Sequence, residues 1–233
     1  MSPPAEASDP LAPALDRALG ALYGLAIGDA LGMPTQELSR AEAQRILGPI
    51  PGFRPGPPEN PISRGLPAGS VTDDTLQALL IGRLLVDGGG KIEPLRLAHE
   101  LLEWEREMAA GGKAELLGPS TKRALKAVAA GADPATTGGS GVTNGAAMRI
   151  APVGIATPPT PVDRLVEAVT GAGQVTHETG LANAGAAAVA MVISCGVAGA
   201  SFDAALGPAV NAASLAAGFG QGFNEDRMAA LIL

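Results

Sequence analysis

Aromatic residues make up only 3% of this 233-residue chain, cysteine occurs once and histidine twice. With so few aromatics and only short β-branched runs, the chain has little of what pleated sheets are built from. The single cysteine, Cys195, excludes a disulfide framework and a cysteine-ligated metal site, and fits a reducing, cytoplasmic setting. Positive charge is scarce too: 16 Lys and Arg stand against 23 Asp and Glu, for a net charge of -7. No basic stripe exists, so nucleic acid and anionic membrane surfaces are not expected partners. Any anionic ligand would need positive charge supplied locally. The opening "MSPPAEASDPLAP" lacks the basic start and apolar run of a signal peptide, and residues 1-10 read as a disordered lead-in.

What is abundant points to helix. The chain is 46% hydrophobic, rich in Ala, Leu and Gly, and long enough to bury a substantial core. An all-α protein is expected, with residues 11-233 forming one domain. From Leu11 to about Ile27, Leu15, Leu19, Leu22 and Ala26 recur at helical spacing, and Gly20, Gly24 and Gly28 form a small-residue ridge suited to close packing on a neighbour. Further helices are expected over Thr72 to Gly88, about Glu93 to Ala109, about Pro119 to Ala130, and Val162 to Thr170. Others follow His177 and span Phe202 to Ala217, where Pro208 should introduce a kink. The stretch from Gly180 to Ala200 is nearly long and apolar enough for a membrane span, but it carries Asn183 and no flanking anchors, so a buried central helix is expected. Between Gly48 and Gly69, proline and glycine are too dense for regular structure; a surface excursion or a functional lid fits equally well. The final "NEDRMAALIL" reads as a fresh apolar helix, as though the chain were incomplete at its C-terminus.

Four polar motifs interrupt this apolar background. In "GSVTDDTLQALL", Thr72 suits an N-cap, and Asp73 and Asp74 could either offset the helix macrodipole or act as hard oxygen ligands for Mg²⁺ or Mn²⁺. The loop "GDALGMPTQE" adds Asp29 and Glu37; three carboxylates on one cleft would need a cation or a role in proton transfer. The turn "GGSGVTNGAAMR" offers a run of backbone N-H groups leading into a short helix from about Gly145, an arrangement that cradles phosphate. It is neither a Walker A loop nor a nucleophile elbow. In "QVTHETG", His177 and Glu178 could begin a zinc-protease helix only if a second histidine followed, and Leu181 stands there instead. His177 could then contact a substrate hydroxyl or phosphate, or be a surface histidine beside a helix cap. His99 receives no role.

In this order, "GLAIGDALGMPTQE", "VTDDT", "GVTNGAAMRIAPVG" and "VTHET" resemble the ADP-ribosylglycohydrolase family, which includes the hydrolase that reactivates ADP-ribosylated dinitrogenase reductase. The resemblance spans roughly Leu15 to Leu233. It implies a compact orthogonal bundle of many helices around a binuclear Mg²⁺, sometimes Mn²⁺, centre, and hydrolysis of the bond between ADP-ribose and an acceptor. The substrate would be an ADP-ribosylated protein or an ADP-ribose-containing small molecule. On this resemblance Thr72, Asp73 and Asp74 are the metal ligands, and Glu37, Asp73 and Asp74 the catalytic set. Asp29, Ser140, Gly141, Asn144, Gly145, Ala146 and His177 would bind substrate. The family's second metal motif, of the form G-G-D-T-D-T/S, has no counterpart after Leu206. That departure leaves three expectations open: a hydrolase completed by a separate C-terminal chain, an inactive ADP-ribose-binding or structural relative, and a nucleoside-type N-glycosidase.

Overall fold

The computed structural model of the protein describes residues 11-112 and 117-220. Among these residues the structure is helical throughout, with no strand. The helices are α1 (Ala12–Gly32), α2 (Arg40–Leu47), α3 (Asp73–Asp87), α4 (Pro94–Ala110), α5 (Pro119–Ala129), α6 (Ala151–Ala156), α7 (Val162–Gly173), α8 (Gly180–Val197) and α9 (Phe202–Ala217). The all-α expectation is met. Both the lead-in 1-10 and the "NEDRMAALIL" segment lie outside the described residues.

α8 is the axis of the bundle. Its apolar length would suffice to cross a membrane, yet it lies against α6, α7 and α9 with most of its surface inside the protein. Ala182, Ala186 and Ala190 repeat every four residues on a buried face, opposite Ala205, Ala209, Ala212 and Ala216 of α9. Methyl groups on both faces let the helix backbones approach closely. Two hydroxyl caps set where the helices begin: Thr179 accepts from the Ala182 N-H and Ser201 from the Ala204 N-H. α9 runs on as one helix through Pro208.

Larger side chains fill the rest of the core. Leu80, Ile81 and Leu84 of α3 meet Leu97, Leu101 and Trp104 of α4, Leu125 of α5, and Leu165, Val166 and Val169 of α7. Each such side chain contributes about 1.5–3 kcal/mol relative to an exposed one. Helix geometry alone sorts neighbouring apolar residues of α3 between core and solvent. Leu79 is exposed and Ile81 is buried, because two residues on a helix are separated by about 200°.

α1 departs from expectation more strongly. Only Asp29 and Ala30 of its 21 residues are buried. Leu15, Leu19, Tyr23 and Ile27, spaced every four residues, stand exposed, and nothing among the described residues comes within 4 Å of a Cβ built on Gly20, Gly24 or Gly28. The expected close neighbour of the glycine ridge is absent from the described structure.

Where helices do cross tightly, glycine is required. A Cβ on Gly154 of α6 would lie 2.6 Å from the carbonyl oxygen of Ala190 in α8. Gly154→Val should therefore lower unfolding stability by about 1–3 kcal/mol through overpacking. Urea denaturation followed by far-UV circular dichroism tests this, and an unchanged midpoint would disprove the tight crossing.

Candidate functional site

The first turn of α3 is built by a residue outside it. Thr72 occupies the N-cap position, but its side chain makes no cap bond. Asp29, near the end of α1, does that work: its carboxylate accepts from the Thr72 N-H at 2.8 Å, the Thr75 N-H at 3.2 Å, the Thr72 hydroxyl at 2.8 Å and the Thr75 hydroxyl at 2.5 Å. Two otherwise orphaned helix donors are satisfied, and a negative charge sits at the positive end of the helix. Asp73 and Asp74 are thereby released from capping and line the cleft.

Glu37 reaches the same cleft from a strained position. It is the one described non-glycine residue with positive φ, 57°, a conformation costing about 1–2 kcal/mol. Asn60, fully buried in the proline-rich excursion, holds that loop in place. Its amide nitrogen donates to the carbonyls of Pro34 at 3.2 Å and Gln36 at 2.8 Å, while its carbonyl accepts from the N-H groups of Ile62 and Ser63. Gln36 completes the link by donating to the Thr72 hydroxyl at 3.2 Å. The excursion thus buttresses the Glu37 loop.

The glycine turn forms the facing wall. No helix starts at Gly145 as expected from sequence; residues 144-149 are turns, and α6 begins only at Ala151. Close approach to the 174-178 segment dictates the glycines. A Cβ on Gly141 would lie 2.1 Å from the Thr176 carbonyl oxygen, and one on Gly145 would meet the His177 ring at 2.4 Å. Behind the turn runs a buried polar chain. Arg149, fully buried, donates to Gln77 at 2.9 Å, to the Ala172 carbonyl at 3.1 Å and to the Thr176 hydroxyl at 2.6 Å. Thr176 and His177 Nδ1 are 2.8 Å apart, as are His177 Nε2 and Thr143.

Burial, followed by the charges of Arg149 and Arg123, pushes the His177 pKa down to about 3, so the ring is neutral and donates to one of the two threonine hydroxyls while accepting from the other. Thr143, at the end of this chain, lines the cleft.

The cleft has a volume of about 600 Å³, within the range of small-molecule sites. Glu37, Asp73 and Asp74 stand at it together with Thr143, Asn144, Gly145 and Lys122. Burial and the neighbouring Asp74 carboxylate raise Asp73 to about 7; burial and Asp29 raise Asp74 to about 6. Neither aspartate has a salt-bridge partner among the described residues. Two clustered hard-oxygen donors without a salt-bridge partner suit a divalent cation such as Mg²⁺, which commonly takes one or two carboxylates and keeps waters. No group of three or more His, Cys, Asp or Glu with metal-holding geometry occurs among the described residues.

The family model for ADP-ribosylglycohydrolase matches residues 10-231. The chain belongs to the ADP-ribosylglycohydrolase family. The uncharacterized protein YegU of Escherichia coli K12 is 40% identical over 81% of this chain and 56% of its own length. The ADP-ribosyl-[dinitrogen reductase] glycohydrolase of Rhodospirillum rubrum is 29% identical over 72% of this chain and 54% of its own. Among solved structures, a chain of an ADP-ribosylglycohydrolase-related protein complex superposes with a TM-score of 0.65 at 31% identity, over 85% of this chain and 62% of that one. The chain thus spans little more than half the length of these ADP-ribosylglycohydrolase relatives.

Of the residues singled out in the sequence, Glu37, Asp73, Asp74, Asn144 and Gly145 line the cleft. Thr72, Asp29, Gly141, Ala146 and His177 are buried behind it, and Ser140 offers its carbonyl to Arg123 at 3.2 Å. Sequence reasoning gave no role to Asn60, Gln77, Arg149 or Lys122. The arginine of "AMR" was visible, but nothing in a single sequence announces its burial.

The raised aspartates make a pH prediction. A carboxyl whose folded pKa lies above its unfolded value of about 4 adds stability at low pH that is lost as pH rises through the folded value. Without divalent cations, the parent should lose thermal stability between about pH 4 and 7 relative to Asp73→Asn, and Mg²⁺ should restore more of it at pH 8 than at pH 5. Parallel pH profiles for parent and variant in thermal scans would refute this.

Proposed function

We propose that this chain is a Mg²⁺-dependent hydrolase that cleaves the glycosidic bond between ADP-ribose and an acceptor, acting in the cytoplasm. The observation that carries the reading is the single cleft in which Glu37, Asp73 and Asp74 face the Thr143–Gly145 turn. Asp73 and Asp74 would hold the cation, Mg²⁺ or Mn²⁺, with Thr72 beside them; when bound, it supplies positive charge that polarises a water and the ribose hydroxyls. Glu37 then takes the proton from the attacking water. The water oxygen bonds to the anomeric carbon, the bond to the acceptor breaks, and the acceptor leaves with a proton. The similarity to the Rhodospirillum rubrum ADP-ribosyl-[dinitrogen reductase] glycohydrolase favours an ADP-ribosylated protein as substrate.

A complementing C-terminal polypeptide is the proposed occupant of the apolar face and open glycine ridge that α1 leaves uncovered among the described residues. One observation favours a second reading, an ADP-ribose binder without turnover: the described residues hold no metal cluster of three or more ligating side chains.

Release of ADP-ribose from modified peptides, with Mg²⁺ and with chelator, separates the readings. Hydrolysis should need the cation, be lost in Asp73→Asn, and fall by about 100-fold or more in Glu37→Gln while ADP-ribose binding persists. Chelator-resistant turnover would sink the metal assignment. Binding without turnover, even with the complementing polypeptide added, would establish the second reading.

A further inference from the structure

A second groove lies outside the cleft, between α3 and α4. Its volume is about 230 Å³ and its floor is apolar, with Leu76, Leu79 and Leu80 of α3 set against Trp104 of α4. Leu79 is left 56% exposed there. Trp104, the only tryptophan of the chain, is 8% exposed, and its indole N-H has no acceptor among the described residues. A buried donor without a partner is costly, so an acceptor brought by a ligand would be favoured at this groove.

The rim is acidic. Glu100, Glu103 and Glu107 follow one another along α4 at helical spacing, against Arg83 as the one cation lining the groove. Arg83 is spent on Glu100 at 2.6 Å, whereas Glu103 and Glu107 have no ion-pair partner among the described residues. α4 runs back along α3, from Arg96 beside Asp87 to Glu100 beside Arg83, so these two unpaired carboxylates lie towards the start of α3. Asp73, which lines the cleft, stands three positions before Leu76 on the adjoining part of the same helix face. The groove therefore leads away from the cleft carboxylates along a single helix.

We infer that the groove between α3 and α4 is a docking surface for a basic, apolar stretch of polypeptide, that of the modified protein on the acceptor side of the scissile bond. Two unpaired carboxylates beside an indole favour Lys or Arg, through ion pairing and contact of the cation with the ring face. The leucine floor takes apolar side chains between them, and a backbone carbonyl would give the indole N-H its acceptor. Nucleic acid or an anionic membrane would meet repulsion at the same rim. The groove as a polypeptide surface rests on α3 and α4; that its occupant is the ADP-ribosylated protein rests on the function proposed above.

Because Trp104 is the sole tryptophan, its emission reports occupancy without a label. Titration with a short amphipathic peptide of leucine and lysine should shift that emission, and a counterpart with glutamate in place of lysine should not. Glu103→Gln combined with Glu107→Gln should weaken the lysine peptide by about tenfold or more, and Leu79→Asn by a smaller factor; all three residues are exposed, so folding is spared. Glu93→Gln combined with Glu105→Gln removes the same charge outside the groove lining and should match the parent, which separates a groove from general attraction to an acidic protein. With ADP-ribose attached to the lysine peptide, the double groove variant should show a raised KM and an unchanged kcat, while a conjugate of a small amine shows neither change. No emission shift in the parent, or parent-like affinity in the groove variants, overturns the docking surface. Peptide binding at the groove with an unchanged KM for the conjugate removes the modified protein as its occupant. Peptide binding at the groove by a protein that cleaves no conjugate keeps the docking surface and removes the hydrolase reading.

Discussion

One carboxylate organises the site without lining it. By accepting from the backbone and side chain of both Thr72 and Thr75, Asp29 fixes the position of α3 relative to α1 and satisfies the helix start. Had Thr72 capped the helix itself, its hydroxyl would be turned to the α3 backbone and buried Asp29 would lose one of its four donors. The four bonds remove that cost, and they also place a third negative charge behind Asp73 and Asp74. The raised proton affinity of that pair follows from burial first, and second from Asp74 for Asp73 and from Asp29 for Asp74. Asp29 is thereby committed to holding the start of α3 and does not line the cleft.

The opposite wall uses neutral chemistry for the same purpose. Arg149 is the only charge in the buried chain from Gln77 to Thr143, and it meets no carboxylate within hydrogen-bond distance. Its bonds to a side-chain amide, a backbone carbonyl and a hydroxyl spread the charge, and burial lowers its pKa to about 10. His177, held neutral beside it, bonds Thr143, so the turn is held in position from behind.

The sequence carried the periodic and the glycine-rich features well, and the buried polar ones poorly. Helix spacing located α3, α4, α5, α7, α8 and α9 within a few residues, because amphipathic period and cap residues are local signals. The pairing of Glu37 with Asp73 and Asp74 was legible through motif order. What escaped was dictated by long-range geometry. Asn60 sits in a segment read as surface excursion or lid, yet it is fully buried because four backbone groups converge on its amide. Gly145 suggested a helix start, but its lack of a Cβ serves the His177 ring instead. Thr72 was a good cap by type and gave up that role because Asp29, distant in sequence, made a better one.

The bareness of α1 has a dynamic consequence. Among the described residues most of this helix is exposed, and it is tied down at two points: Arg17 donates to the Val197 carbonyl at 2.8 Å, and Asp29 bonds Thr72 and Thr75. Local opening free energy follows buried contact, so hydrogen-exchange protection should be lowest in the turns away from these anchors and highest towards Asp29. Opening of the exposed turns would leave in place the bonds that hold α3.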